Sequence, residues 1–391
     1  MKFDRVPLIA KYLSVIFMVL WIGSSTVWNF LPIFIEENIQ SVFLVGVVTS
    51  LPAAIPILLD IPIGNLVQRA GAKIVIFLGL LVAVVPPLMY LTAMPIFLVL
   101  GKAFEGLNKS LIWNGGWSLA LEAPEEKVES ESISVFLLGV NMATIIGPII
   151  GGFLIAGYGF PITFWIWGLT SLLAIATFYT YVGIDTKMGL EKSVEKLFER
   201  STYMDDWHHI RDNWSSLKLP LTLIFTYSII FSFYWLAIPL LLDKIGANYQ
   251  TMGLIFGAAA LPKAFQFVFG DLADKFGDLK LVTYLAVPLI IGLALMSQIE
   301  QIWIIGVLFF VTRTLSSGMS PAVHSMFDKA TPDELEGELT GFLEFFKHSG
   351  QTIGPILAGT VASIWTINAS YLAASMIAVI ILSVSIYGAQ N

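Results

Sequence analysis

Residues 64–73 read Gly-Asn-Leu-Val-Gln-Arg-Ala-Gly-Ala-Lys, and residues 270–280 read Gly-Asp-Leu-Ala-Asp-Lys-Phe-Gly-Asp-Leu-Lys. Both stretches lie between two long apolar runs, and both place a second glycine seven residues after the first. Glycine permits the tight turn that two consecutive helices need, and a carboxylate with a cation can clamp neighbouring helix ends. The same helix connection therefore occurs twice, 206 residues apart.

The composition indicates a polytopic membrane protein. Hydrophobic residues make up 57% of the 391 residues and charged residues only 13%, whereas soluble domains carry about 25% charged residues. This excludes a soluble multidomain enzyme. The net charge of -7 argues against a nucleic-acid partner, because phosphate binding needs a clustered basic surface. The absence of cysteine removes disulfides, thiolate metal sites and cysteine nucleophiles, and the sequence suggests neither a metal nor a cofactor.

Apolar runs of the length that crosses a bilayer, roughly 20 helical residues, occur twelve times. Continuous runs of this kind satisfy their backbone hydrogen bonds only as helices, so we predict an all-α membrane protein. The predicted spans cover residues 10–33, 41–63, 73–93, 95–121, 132–156, 159–183, 219–242, 249–271, 279–297, 301–328, 337–361 and 366–388.

The two loops belong to a repeat that extends through the chain. Pro56 and Pro262 are also 206 residues apart, and the pair Gly147-Pro148 returns 207 residues later as Gly354-Pro355. With six spans in each copy, both copies enter the membrane from the same side, which predicts a parallel repeat. We predict a first six-helix bundle over residues 1–183, a linker over 184–218 and a second bundle over 219–391.

The basic residues predict the orientation. With the N-terminus inside, fifteen Lys and Arg fall in the cytoplasmic segments, only Lys244 falls in an outer loop and five fall in spans. From the positive-inside rule we predict a multi-pass protein of the inner, or cytoplasmic, membrane with both termini in the cytoplasm. The linker has apolar residues at helical spacing, which predicts an amphipathic helix on the cytoplasmic face.

The repeated loops resemble the signature loop of the major facilitator superfamily, Gly-x-Leu-x-Asp-Arg-x-Gly-x-Arg/Lys. The resemblance covers the whole chain and implies the major facilitator fold, with substrate transport by rocking of two halves. It also implies that the loops form gate latches. Gln68 stands where the first copy should carry an acid, and Asp60 is a candidate substitute. The predicted gating residues are Asp60, Gly64, Arg69, Gly71, Gly270, Asp274, Lys275 and Gly277.

Spans 5 and 11 carry a second family-like motif. Gly147 and Pro148, like Gly354 and Pro355, lie within patterns that resemble Gly-x3-Gly-Pro-x2-Gly-Gly, which marks antiporters and especially drug:proton antiporters. Each copy has one Ala in place of a Gly. Small residues allow close helix packing, and proline removes a backbone hydrogen bond, so we predict a bend at each proline.

Charges inside spans mark the predicted site, because a charge in the bilayer is costly unless it faces a partner or the interior. Spans 4 and 11 place charges on one helical stripe each, at Lys102, Glu105 and Lys109, and at Glu344 and Lys347 with His348. A Lys and a Glu one turn apart can exchange a proton. The predicted proton-coupling residues are Glu105, Glu344 and Lys102; static intrahelical ion pairs are the alternative.

The remaining polar residues of the spans suggest a substrate. Five cations and three acids within the spans leave a surplus of two positive charges, which favours an organic anion as substrate. The aromatic residues would also suit an apolar drug-binding cavity or a lipid substrate. The predicted substrate-binding residues are Lys109, Arg313, Lys347, His348, Asn141, Asn29, Trp113 and Tyr234.

These observations favour a secondary transporter for a small organic solute. No phosphate-binding Gly-x4-Gly-Lys-Ser/Thr loop occurs, so the sequence gives no support for transport driven directly by ATP.

 

A proton-coupled, drug-efflux-like antiporter that works as a monomer is therefore the leading hypothesis, and a carrier of an organic anion or a lipid is the alternative. A polytopic membrane enzyme is the distant alternative. It would use the acidic run at residues 122–131 with His324 and Asp328, but a solvated acidic loop explains that run, and its spacing suits no metal site.

Overall fold

The computed structural model describes residues 6–121, 126–184, 200–332 and 335–390, without the side chains of 126–130, 200–212, 336–338 and 390. Most of the predicted linker, including its apolar stripe at Leu190, Val194, Leu197 and Phe198, lies outside the described residues. From Arg200 onward the chain is helical and runs without a break into span 7.

The described residues contain a helix for each predicted span, which confirms the all-α membrane fold. We number these helices as spans 1 to 12. Their bounds are Leu8–Trp28, Val42–Ala70, Ala72–Tyr90, Pro95–Leu121, Glu126–Tyr158, Phe160–Tyr181, Arg200–Lys244, Tyr249–Phe276, Asp278–Met296, Ile302–Ala330, Glu336–Ile364 and Ile367–Gln390.

Span 1 ends earlier than the prediction of residue 33. The helix stops at Trp28, and a separate short helix covers Leu31–Ile39. Pro32 explains the interruption, because proline lacks an N–H and its ring collides with the carbonyl of the residue four positions earlier, here Trp28. In the short helix Pro32 occupies the first turn, where its missing N–H does no harm.

Ten of the described helices are long and apolar enough to cross a membrane. The other two are spans 4 and 11. They carry the two predicted polar stripes, with Lys102, Glu105 and Lys109 in span 4 and Glu344 and Lys347 in span 11.

Contacts divide the described residues into two units. Unit 1 comprises Met1–Leu31, Leu58–Phe198 and Tyr249–Gly257, and unit 2 comprises Pro32–Ile57, Glu199–Asn248 and Ala258–Asn391. The first part of span 2 therefore packs in unit 2, and the first part of span 8 packs in unit 1. These two segments differ from the division by sequence, in which each span stays with its own repeat.

Glycines allow close helix contacts in unit 1. Gly147 faces Ser25, and Gly151 faces the carbonyl of Thr26, so closely that a Cβ on either glycine would overlap span 1. Span 5 also meets the first part of span 8, where a Cβ on Gly253 would lie 2.5 Å from the carbonyl oxygen of Pro148. Spans 1, 5 and 8 can pack this closely only because these positions lack side chains.

The same arrangement recurs in unit 2. A Cβ on Gly354 would lie 2.5 Å from the carbonyl oxygen of Ile229 in span 7, and a Cβ on Gly46 would lie 2.5 Å from that of Pro355. The two motifs that resemble the antiporter pattern therefore supply matching contacts in the two units. Both helices continue through their prolines, Pro148 and Pro355, and the predicted bend stays a prediction.

Candidate functional site

Three polar side chains meet in the interior of unit 1. The Lys102 ammonium donates a hydrogen bond to Glu105 Oε2 at 3.0 Å, and the Tyr90 hydroxyl donates to Glu105 Oε1. Only 2% of Lys102, 9% of Glu105 and none of Tyr90 is exposed. Each oxygen of the carboxylate thus has its own donor, and the charge of Lys102 offsets that of Glu105 where water does not reach.

Tyr90 is the member of this triad that sequence reasoning missed. It ends the short helical segment Val85–Tyr90 of span 3, and its ring lies against Gly101, where a Cβ would meet the ring at 2.5 Å. The rings of Phe164 and Trp167 lie 5.6 and 5.9 Å from it. No spacing in the sequence shows that a residue of span 3 points at span 4, although Gly101 beside Lys102 marks a place of close approach.

Three other residues of unit 1 are predicted to bind substrate. Lys109 is half-buried one turn further along span 4. Asn141 is also half-buried, and its Oδ1 has no hydrogen-bond partner among the described residues. Asn29 caps the C-terminal end of span 1.

Trp113 belongs to a cluster of aromatic rings. Its ring lies 5.4 Å from that of Trp21, 6.3 Å from that of Trp117 and 6.0 Å from that of Phe136. Because aromatic rings at such separations attract one another and bury large apolar areas, this cluster explains Trp113 by helix packing. A direct role in substrate binding has no further support from its contacts.

Unit 2 contains the second predicted polar stripe. Lys347 Nζ lies 2.8 and 2.9 Å from the two oxygens of Glu344, and His348 Nε2 lies 3.5 Å from Glu344 Oε2. His348 is buried and its Nδ1 faces Gln351 Oε1 at 3.2 Å. The side chains of Glu344 and Lys347 are each about one-third exposed, at 34% and 32%, unlike the enclosed pair of unit 1.

Arg313 of span 10 lies against the aromatic side chains of span 7. Its guanidinium carbon is 4.4 Å from the ring centre of Phe231 and 5.7 Å from that of Tyr234. A cation over an aromatic face is attracted by the ring. The Nη1 atom of Arg313 is buried and has no hydrogen-bond partner among the described residues, so the edge of the guanidinium keeps an unused donor.

Three cations of unit 2 interact electrostatically. Lys263 of span 8 is repelled by both Arg313 and Lys347, and its side chain is exposed. Nearby, Gln266 donates to the hydroxyl of Ser317 at 3.0 Å, and His324 Nδ1 lies 2.8 Å from the carbonyl oxygen of Ser320. The cations predicted within spans are therefore divided, with Lys102 and Lys109 in unit 1 and the other three together in unit 2.

The repeated loops make the tight turns that the sequence predicts. Gly71 has a φ of 101° and Gly277 a φ of 88°, in the region that favours glycine. At the first glycine of each loop we expected a close approach of neighbouring helices, because glycine has no side chain. A Cβ on Gly64 would lie 3.9 Å from Asn114 Oδ1, an ordinary contact distance, and a Cβ on Gly270 would meet no atom within 4 Å. The expectation is wrong for Gly270.

The acids and cations of the two loops have different surroundings. In the first loop, Asp60 accepts a hydrogen bond from Asn114 at 3.2 Å, and Arg69 Nη1 is buried without a hydrogen-bond partner among the described residues. In the second loop, Asp274 and Lys275 are exposed. The gating role predicted for these residues stays a prediction.

An ion pair beside the second loop was not predicted. The Asp278 carboxylate accepts hydrogen bonds from Lys329 at 2.7 Å and from Ser325 at 3.1 Å. This pair joins the start of span 9 to the end of span 10. An acid directly after the turn glycine, with a lysine at the end of the next helix but one, is the sequence signal that could have found it.

The helices, the repeat and the charges held within spans define a membrane transporter for small molecules. The chain belongs to the Major Facilitator Superfamily, whose family model matches residues 13–261 and 221–388. This confirms the resemblance seen in the repeated loops, and it places the protein among transporters and not among enzymes.

Multidrug efflux proteins are among its relatives. The chain is 24% identical to the multidrug resistance protein MdtG of Escherichia fergusonii over 384 residues, which cover 91% of this chain and 90% of the relative. It is 25% identical to the multi-drug resistance efflux pump PmrA of Streptococcus pneumoniae over 377 residues, with coverages of 90% and 88%.

The fold also matches solved structures. The human organic anion transporter MFSD10 (TETRAN) superposes with a TM-score of 0.68 at 14% identity, over 96% of this chain and 98% of that one. At this identity the likeness concerns the fold alone.

Proposed function

We propose that the protein is a proton-coupled antiporter that exports small organic solutes from the cell. It works as a monomer in the cytoplasmic membrane with both termini inside, as the distribution of Lys and Arg predicts. The names of MdtG and PmrA support an efflux function, and the paired Gly-Pro motifs support antiport.

The observation that carries proton coupling is the enclosed triad of Glu105, Lys102 and Tyr90. A carboxylate that is shielded from water and shares its two oxygens with an ammonium and a phenol has few ways to change its charge. Protonation of Glu105 would leave the positive charge of Lys102 without its counter-charge. Binding of the proton and the conformation of span 4 are therefore linked. Glu344, which is one-third exposed beside Lys347, is the second candidate carboxylate.

Transport into proteoliposomes tests this function. A pH gradient is imposed across the membrane, and uptake of aromatic anions and of lipophilic cations is measured in parallel. We expect wild-type uptake to follow the gradient and to disappear when an ionophore dissipates it. If neither class of compound moves under either direction of gradient, the proposed function is wrong.

The variant Glu105→Gln tests the assignment of the proton. It should abolish accumulation driven by the gradient while solute exchange without a gradient continues, because Gln keeps the shape of the side chain but does not titrate. Glu300→Gln, which changes an exposed carboxylate in the loop between spans 9 and 10, is the matched control. Full gradient-driven accumulation by Glu105→Gln would contradict the role of Glu105.

A further inference from the structure

Away from their ends, spans 8, 10 and 11 hold three cations, Lys263, Arg313 and Lys347, and one acid, Glu344. Lys263 lies within electrostatic reach of both Arg313 and Lys347, whereas both oxygens of Glu344 already accept hydrogen bonds from Lys347. A cation in a membrane interior is costly unless an acceptor or counter-charge accompanies it. Lys263 and Arg313 therefore remain the two cations that an additional anion would stabilise.

Arg313 presents its charge in a way that suits an oxyanion. Its guanidinium carbon lies 4.4 Å from the ring centre of Phe231 and 5.7 Å from that of Tyr234, so the rings of span 7 pack beside the group. Its Nη1 atom is buried and has no acceptor among the described residues. A guanidinium is planar, and one with an unused donor can bind a carboxylate, sulfonate or phosphate through paired hydrogen bonds.

Lys263 lies where the helix of span 8 changes its geometry. Residues Leu261–Phe265 form a 3-10 helix between two α-helical segments, with Pro262 in its first turn. Tighter helix of this kind within a longer helix often marks a functional position. The Lys263 side chain is exposed there, and its charge acts on that of Arg313.

Span 7 adds an aromatic surface beside Arg313. Tyr227, Phe231 and Trp235 are spaced four residues apart and thus share one face of the helix. Their rings follow one another at 5.9 and 5.8 Å, and all three are half-buried and so only partly covered by neighbouring helices. The ring centre of Phe231 lies 4.4 Å from the Arg313 guanidinium carbon. The positive charge and the aromatic surface are therefore adjacent.

We propose that unit 2 binds an organic anion with an aromatic or otherwise apolar body, its acidic group held by Arg313 and Lys263 and its body against Tyr227, Phe231 and Trp235. This inference rests on the proposed export function, for which it names the substrate class. A ligand without the negative charge would leave the two cations unaccompanied, so the site selects anions over neutral molecules of the same shape.

Three naphthalene probes test the proposal at equilibrium, with purified protein and no pH gradient. They are naphthalene-2-sulfonate, the neutral naphthalene-2-sulfonamide and the cationic 2-naphthylmethylammonium. We expect the sulfonate to bind about tenfold or more tightly than the sulfonamide, since hydrogen bonds between charged groups are roughly twice as strong as neutral ones. The ammonium probe should bind least. Equal binding of sulfonate and sulfonamide, or no binding of the sulfonate, would overturn the proposal.

Variants separate the acidic group from the apolar body. Arg313→Gln should reduce sulfonate affinity to that of the sulfonamide and leave sulfonamide binding unchanged, which also shows that the variant is folded. Trp235→Leu should weaken both probes. Lys280→Gln, which removes an exposed cation at the start of span 9, is the control. If Arg313→Gln and Lys280→Gln bind the sulfonate alike, Arg313 does not hold the anion.

Further measurements identify the body of the ligand and separate this inference from the export function. Dodecyl phosphate is added as a competitor. If it displaces the sulfonate more effectively than aromatic anions do, the natural ligand has an alkyl chain as its apolar body, and the anion site stands. Sulfonate binding without gradient-driven transport would support the site and reject the proposed coupling. Gradient-driven transport of cations alone, without sulfonate binding, would do the reverse.

Discussion

Loss of the Glu105 carboxylate should destabilise the protein far more than loss of the Glu344 carboxylate. Both acids form an ion pair with a lysine three residues later or earlier on the same helix, at 3.0 Å for Glu105 and 2.8 Å for Glu344. The pairs differ in their surroundings. The side chains of Lys102 and Glu105 are 3% and 9% exposed, whereas those of Lys347 and Glu344 are 32% and 34% exposed.

The exposures set the expected magnitudes. Glu105→Gln leaves the ammonium of Lys102 enclosed without its counter-charge, and removing one partner of a buried pair costs about 3–5 kcal/mol. Glu344→Gln leaves Lys347 about one-third exposed, and ion pairs that are not enclosed are worth about 0–1 kcal/mol. We therefore expect the two variants to differ by at least about 2 kcal/mol in the free energy of unfolding.

Unfolding by sodium dodecyl sulfate in mixed micelles, followed by tryptophan fluorescence, measures this difference. The double variant Lys102→Met, Glu105→Gln provides the internal check, because removing the stranded charge should restore most of the stability lost in Glu105→Gln. Equal losses for Glu105→Gln and Glu344→Gln, or no recovery in the double variant, would refute the reasoning from burial.

Two further predictions concern packing and pH. Gly151→Ala should lower the free energy of unfolding by about 1–3 kcal/mol, because its Cβ would overlap the carbonyl oxygen of Thr26, whereas Gly157→Ala should not, since nothing lies within 4 Å of that position; the same detergent titration compares them. Burial and the nearby Asp243 raise the pKa of Glu37, so the folded protein holds this proton more tightly than the unfolded chain does. Stability should therefore increase slightly as the pH falls through the range of Glu37, and Glu37→Gln should remove that pH dependence in parallel titrations at several pH values.

Much of the fold follows from the sequence because its signals are local or periodic. Apolar runs of bilayer length predict the helices, and the glycines at 71 and 277 predict turns that the structure confirms through their positive φ. The early end of span 1 could have been predicted by the same reasoning. Pro32 lies four residues after Trp28, and its effect on a helix is local.

The partners of charged side chains are predictable only where they lie on the same helix. The pairs of Lys102 with Glu105 and of Glu344 with Lys347 follow from helical spacing. Tyr90 and Asp278 were missed because each of their contacts joins two helices, and the rotation of one helix against another depends on packing along their whole length. The sequence of either helix alone does not contain it.

Corresponding positions of the two repeats carry opposite charges, and this suggests how their tasks are divided. Glu105 and Arg313 are 208 residues apart, close to the offset of the repeat, and each has a tyrosine beside it. In unit 1 the charge of Glu105 is neutralised by Lys102 and enclosed, which suits a group that binds and releases a proton. In unit 2 the charge of Arg313 adds to that of Lys263, which suits an anion. If both proposals hold, Glu105→Gln should leave the affinity for naphthalene-2-sulfonate unchanged, because the acid and the anion site lie in different units and equilibrium binding needs no proton gradient.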